Sequence, residues 1–151
     1  MGITYQTENL KDFILEFDML LKPHMAEINI SQKLGFKFEV DYDKYVKLQD
    51  VGVLTVITCR DNEKLIGYCV MSVMQHIRYM SCKLAKEDLY YIVPEYRGKG
   101  LGKQLFIETE KVLKEQGVNQ IIFTTKTYSD NSHIFKKLGY EFFEKLFTKR
   151  I

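Results

Sequence analysis

Between residues 10 and 21 the apolar side chains Leu10, Phe13, Ile14, Phe17, Leu20 and Leu21 recur every three or four positions, which gathers them on one face of an α-helix. Asn9 precedes them as a candidate cap. Pro23 has no amide proton to donate and is expected to end or kink the helix. The segment 3–7 before it reads as a short strand, and a weaker helix is expected over 43–49, stopping near Gly52. Residues 53–59 and 64–75 are runs of β-branched and apolar side chains joined by the polar tetrapeptide Arg60-Asp61-Asn62-Glu63, which predicts a hairpin.

A polar stretch around 79–86 then gives way to a buried strand over 89–93 that stops at Pro94. Leu101, Leu105, Val112 and Leu113 give the next helix one apolar stripe, and Gly117 is placed to end it. A strand is expected over 118–125, a short helix over 131–138 closed by Gly139, and a final strand or tight strand pair over 140–150. The order is β-α-α-β-β-β-α-β-α-β, with antiparallel hairpins first and a β-α-β crossover later. It predicts an α/β protein of the α+β type, a mixed and mostly antiparallel sheet flanked by about four helices.

Length and composition narrow the class. The 151 residues suit one domain over 1–151, and 46% hydrophobic with 28% charged residues is the balance of a folded globular chain. Net charge is +2 with acids and bases interspersed, and the basic stretches 99–103 and 145–150 are short, so a nucleic-acid partner is disfavoured. There is no run of about 18 or more apolar residues to span a membrane, and no basic-then-apolar leader. Cys59, Cys69 and Cys82 are odd in number and lack C-x-x-C spacing. They point to reduced thiols in a cytoplasmic protein, with no disulfide framework, zinc site or other metal.

The candidate chemistry lies in Leu89-Tyr90-Tyr91-Ile92-Val93-Pro94-Glu95-Tyr96-Arg97-Gly98-Lys99-Gly100-Leu101-Gly102-Lys103. A buried strand and a proline-stopped turn run through glycines straight into a helix, whose first N–H groups are unpaired and carry roughly half a positive charge. Glycines let an anion approach those groups, and Arg97 and Lys103 add formal charge, which makes the segment a candidate pyrophosphate cradle. A P-loop would need Gly at 97 and Ser or Thr at 104, where Arg97 and Gln104 stand. A dinucleotide fingerprint would need a third glycine placed differently from Gly102.

The remaining pattern, R-x-x-G-x-G after a strand and Pro-Glu-Tyr, resembles the signature of the GNAT acetyltransferases. The resemblance covers 53–151 well and the N-terminal third only in element order. It is especially close to the small acetyltransferases encoded by tailed phages, through His24, His76, Asp88 and Leu138-Gly139-Tyr140. It implies a sheet of six to seven strands splayed between the fourth and fifth, with acetyl-CoA in the gap as acyl donor. The pantetheine arm would pair with the backbone of Tyr90 and Ile92 on either side of Tyr91. The pyrophosphate would sit on the amides of Gly98, Lys99, Gly100, Leu101, Gly102 and Lys103, with Arg97 beside it. Asn131 and Phe135 are further positions against the coenzyme. An unidentified amine would attack the thioester in a ternary complex, a strand N–H polarising the carbonyl. Asp88, or its neighbour Glu87, would take the amine proton, and His76 would be a base or orienter at the acceptor site. The implied setting is the cytoplasm (the host's, if phage-encoded), as a monomer or homodimer.

One position departs from the family pattern. Members often carry Asn, a Tyr seven residues later and a Gly four beyond that, the Tyr protonating the departing thiolate. Counted back from Gly139, those places hold Tyr128 and Phe135, and a Phe has no proton to give. A non-catalytic acyl-CoA-binding module that regulates a partner protein is therefore the alternative to a transferase.

Overall fold

The chain is described from a computed structural model covering residues 2–28 and 30–151. Five strands, β1 (Ile3–Thr7), β2 (Leu54–Asp61), β3 (Lys64–Gln75), β4 (Lys83–Ile92) and β5 (Gln120–Ile122), form one sheet in the order β1-β2-β3-β4-β5. The first four are antiparallel neighbours and β5 runs parallel to β4. The helices are α1 (Ile14–Ile28), α2 (Ile30–Lys33), α3 (Tyr42–Asp50), α4 (Leu101–Glu115) and α5 (Ser132–Lys137). Among the described residues no helix is long and apolar enough to cross a membrane.

The runs of apolar and β-branched residues in β2 and β3 follow from burial on both sheet faces. Successive side chains alternate between two cores. Val56, Tyr68 and Val70 pack with Phe13, Phe17 and Leu21 on the α1–α3 side. Ile57, Cys69 and Met71 pack with Leu105 and Leu113 of α4 on the other. Each such side chain contributes about 1.5–3 kcal/mol by leaving water. Cys59 and Cys69 are free buried thiols, pushed up to about 11 and about 12 by burial.

Four expectations are corrected. Among the described residues the sheet has five strands instead of the expected six to seven. Helix α1 runs through Pro23 to Ile28, and the proline lies on its exposed side, where a carbonyl left without its helical partner meets water. Strand β4 begins at Lys83, inside the stretch expected to be polar loop, because Lys83 to Ile92 registers against Gln75 to Gly67 of β3. The segment 140–150 forms no strand. Its apolar residues come as adjacent pairs, Phe142 with Phe143 and Leu146 with Phe147, all exposed. On a strand, adjacent residues face opposite ways, so this pattern would need cover on both sides.

Candidate functional site

Strands β4 and β5 pair at only three positions, Leu84 with Gln120, Ala85 with Ile121 and Lys86 with Ile122. Beyond Lys86 they part, leaving a groove of about 670 Å³ along the rest of β4, with Glu87, Tyr90, Ile92, Gly100, Lys103 and Thr124 in its lining. Two side chains bridge the parting. The Tyr90 hydroxyl donates to the Thr124 carbonyl at 2.9 Å, and Glu87 Oε1 accepts from the Thr124 N–H at 3.3 Å and from its hydroxyl. Asn131 Nδ2 donates to the Tyr90 oxygen at 3.4 Å. Burial raises the Glu87 carboxyl above its ordinary value, against the opposing pull of Thr124 and Lys126. Burial raises the Tyr90 phenol as well.

A β-bulge sits at the same place. Val70 of β3 faces Leu89 and Met71 faces Glu87, so Asp88 is an extra residue with no partner opposite. Its carboxylate turns toward α3, where the Tyr45 hydroxyl donates to Oδ2 at 2.8 Å. Glu87 and Asp88 thus border the groove from different sides, Glu87 reaching β5 and Asp88 reaching α3.

At the far end of β4 the chain makes one 3₁₀ turn, Pro94–Tyr96, and enters α4 through the glycines. Gly98 and Gly100 have φ of 75° and 80°, and a Cβ at either would meet nothing within 4 Å. No neighbouring side chain demands glycine there; the backbone conformation does, and it leaves open space over the first amides of α4. Gly100 supplies no side-chain cap to that helix. Unpaired N–H groups facing an open groove fit a pyrophosphate.

The structure distributes the other expected site residues unevenly. Arg97 does not point at the amides. Its Nε donates to the Ile92 carbonyl at 2.8 Å and its Nη2 to both carboxylate oxygens of Glu27 at 2.9 Å. The guanidinium therefore ties the glycine loop to α1, lying over the Tyr91 ring on the way. Lys103 lines the groove, whereas Lys99 lies over Tyr96 and Leu101 packs into the α4 core. Tyr91 faces the α1 side, where its ring stacks on His24 at 4.6 Å. The Phe135 ring is buried behind the groove wall against Phe106, Phe123 and Tyr140. His76 lies past the end of β3, where its Nδ1 accepts the Arg78 N–H at 3.0 Å. The β3–β4 register puts that end at Lys83, on the opposite side of the bulge from the glycine loop.

Two residues of α1 border the groove without having stood out as site residues, His24 and Glu27. His24, one of the residues that carry the family resemblance, lies inside α1 and is buried, its Nδ1 2.7 Å from the Tyr68 hydroxyl. Burial, helped by the Arg97 and Lys126 charges, lowers it to about 4, so the imidazole is neutral at pH 7. The signal was the spacing Phe17, Leu21, His24, which places it on the apolar stripe once the helix continues past Pro23.

A second depression, about 540 Å³, lies at the other end of the sheet. Several of its polar groups are paired internally: Gln49 bonds the Leu10 N–H and the Glu8 carbonyl, and Thr55 bonds Gln116.

The site thus combines a sheet parted along the edge of β4 with a glycine-led helix N-terminus. The chain belongs to the acetyltransferase (GNAT) family, whose profile matches residues 23–140. It is 35% identical over 82 residues to an uncharacterized N-acetyltransferase of Chlorobaculum tepidum, a match spanning 54% of this chain and 46% of that protein. The chain therefore aligns with about half the length of this relative. The fold is similar to that of an aminoglycoside acetyltransferase from an uncultured soil metagenomic sample, solved with sisomicin, at TM-score 0.77 and 16% identity over 99% of this chain and 97% of that one. It is similar to a ribosomal-protein-alanine N-acetyltransferase of Brucella melitensis at TM-score 0.76 and 14% identity, covering 100% of both chains. A predicted acetyltransferase of Clostridium acetobutylicum, solved with acetyl-CoA, gives TM-score 0.71 and 15% identity over 98% and 96% of the two chains.

Proposed function

We propose that the protein transfers an acetyl group from acetyl-CoA to an amine of a small molecule or protein, by direct attack within a ternary complex. The observation that carries this reading is the opening of the glycine loop, at the N-terminus of α4, onto the parted edge of β4. Acetyl-CoA would supply an activated acyl group on a thioester. The family membership and the acetyl-CoA bound to the Clostridium structure support that donor.

The amides from Gly98 to Lys103 hold the pyrophosphate, with Lys103 alongside. The free edge of β4 at Tyr90 and Ile92 pairs with the amide-bearing arm of the donor. The bulge at Asp88 leaves a backbone group without a strand partner where a carbonyl can be polarised. Glu87 is the base: its carboxyl faces the groove, and its raised affinity for a proton suits it to take one from an attacking amine. Asp88, held by Tyr45, orients the acceptor from the α3 side.

Gly100→Glu places a side chain and a negative charge over the amides. It should weaken acetyl-CoA binding at least about 30-fold by calorimetry, and the left-handed φ adds about 1–2 kcal/mol of destabilisation, read by urea unfolding. Unaltered affinity would reject the cradle. Turnover should fall as pH drops through the raised Glu87 value, above its ordinary 4.5. Glu87→Gln should flatten that limb and lower kcat about 100-fold, while Asp88→Asn should keep it. Acetyl-CoA binding without coenzyme A release for any amine would favour the binding-module reading, which the missing phenol at Phe135 supports.

A further inference from the structure

We propose that the Tyr90 hydroxyl protonates the coenzyme A sulfur as the acyl group leaves, an assignment that rests on the acetyl-transfer reading above. When the carbon–sulfur bond breaks, its electron pair stays on sulfur, and the resulting thiolate needs a proton to leave as a thiol. Position 135 cannot give one. Its Phe ring sits edge-on behind the Tyr90 ring, centroids 6.1 Å apart. Tyr90 is the front member of this aromatic stack, and its hydroxyl is the phenol that crosses the groove to the Thr124 carbonyl.

The order of groups along β4 matches what the two proton transfers require. Glu87 and Tyr90 emerge toward the same side, since both reach Thr124. The glycine loop follows Ile92, so Tyr90 lies on the loop side of Glu87. In a bound thioester the sulfur lies between the carbonyl carbon and the arm that leads to the phosphates, and so it too lies on the loop side of the carbon. The base then stands at the amine end and the phenol at the sulfur. Asn131, donating to the Tyr90 oxygen, fixes that oxygen while the O–H rotates from the Thr124 carbonyl to sulfur. Burial keeps the phenol protonated at neutral pH. The balance closes. A carbon–nitrogen bond forms and the carbon–sulfur bond breaks; the amine gives one proton to Glu87 and Tyr90 gives one to sulfur. Water takes the first proton and restores the second.

The test separates contact with sulfur from activity. By calorimetry the wild type should bind coenzyme A about three- to tenfold more tightly than desulfo-coenzyme A, the worth of one hydrogen bond. Tyr90→Phe should bind the two alike. Lys126→Met, which removes another proton carrier from the groove lining, should keep the wild-type preference. With whichever of spermidine, a lysine peptide or kanamycin the wild type acetylates fastest, Tyr90→Phe should lower kcat about 100-fold with little change in KM for acetyl-CoA. Tyr90→Phe combined with Phe135→Tyr should recover at least tenfold, by returning a phenol to the stack. A Tyr90→Phe protein that keeps the sulfur preference overturns the assignment even if kcat falls, since the ring would then be only groove wall. If the wild type binds coenzyme A but acetylates no amine, the transfer reading fails, while the two binding constants still report whether Tyr90 meets sulfur.

Discussion

The β2–β3 ribbon and the β4–β5 pair belong to one sheet but are built on opposite terms. β2 pairs with β3 at eight positions from Leu54 to Asp61, and both faces of the ribbon are buried. Near its hairpin end even the charges are internally matched. Arg60 Nε meets Glu8 Oε1 at 2.7 Å, and Nη1 meets Glu16 Oε2 at 2.9 Å. β5 pairs with β4 at three positions, and the polar groups past that point, Glu87, Tyr90 and Thr124, satisfy one another across a groove. Polar side chains in the first region complete the fold. In the second each is held by one or two contacts that a ligand could replace.

The contrast can be broken first at the closed side. Arg60→Ala should leave Glu8, whose side chain is 16% exposed, without its cation and destabilise the protein by about 3 kcal/mol in urea unfolding. Burial alone would raise the Glu8 carboxyl, but hydrogen bonds from Arg60, Thr58 and Gln6 outweigh it and hold it at about 2. Its stabilisation is therefore complete above 4.5 and is lost as pH falls toward 2. A variant as stable as the wild type would show that the clamp contributes little.

The wall between the regions is tested by pH. His24 in the folded state titrates at about 4 instead of 6.5, so the unfolded chain binds the extra proton between those values. Stability should be full above 6.5 and decline as pH falls toward 4, by up to about 3 kcal/mol. His24→Gln should remove that part of the slope; equal slopes in the two proteins would mean that His24 is not held neutral.

The smallest effect belongs to the open side. Arg97 and Glu27 are both well exposed, at 43% and 40%, so Glu27→Gln should cost less than about 1 kcal/mol of stability. It should nonetheless change acetyl-CoA affinity several-fold by calorimetry, because Arg97 is then free to turn toward the phosphates. An unchanged affinity would show that the Arg97 charge plays no part in donor binding.

Much of the site was legible for local reasons. Strand, proline turn, glycines and helix are contiguous from Leu89 to Lys103, and their conformations follow from those residues alone. The hairpin at Asn62 and the buried runs beside it were readable on the same ground. The direction of Arg97 was not, because Glu27 is 70 residues away in the chain and only the packing of α1 makes it a partner. The first half of β4 looked like loop because Lys83, Lys86 and Glu87 carry no strand pattern of their own, and β3 imposed it.

The sequence by itself determined that the chain folds around a sheet flanked by helices and enters α4 through a proline turn and glycines, because apolar period, proline and glycine act within a few residues of themselves. Only the tertiary structure decided that β4 and β5 part after Lys86, that the bulge turns Asp88 toward α3 and leaves Glu87 facing the groove, and that Tyr90 stands in front of Phe135. Those outcomes depend on pairings between segments far apart in the chain, whose register no local pattern encodes.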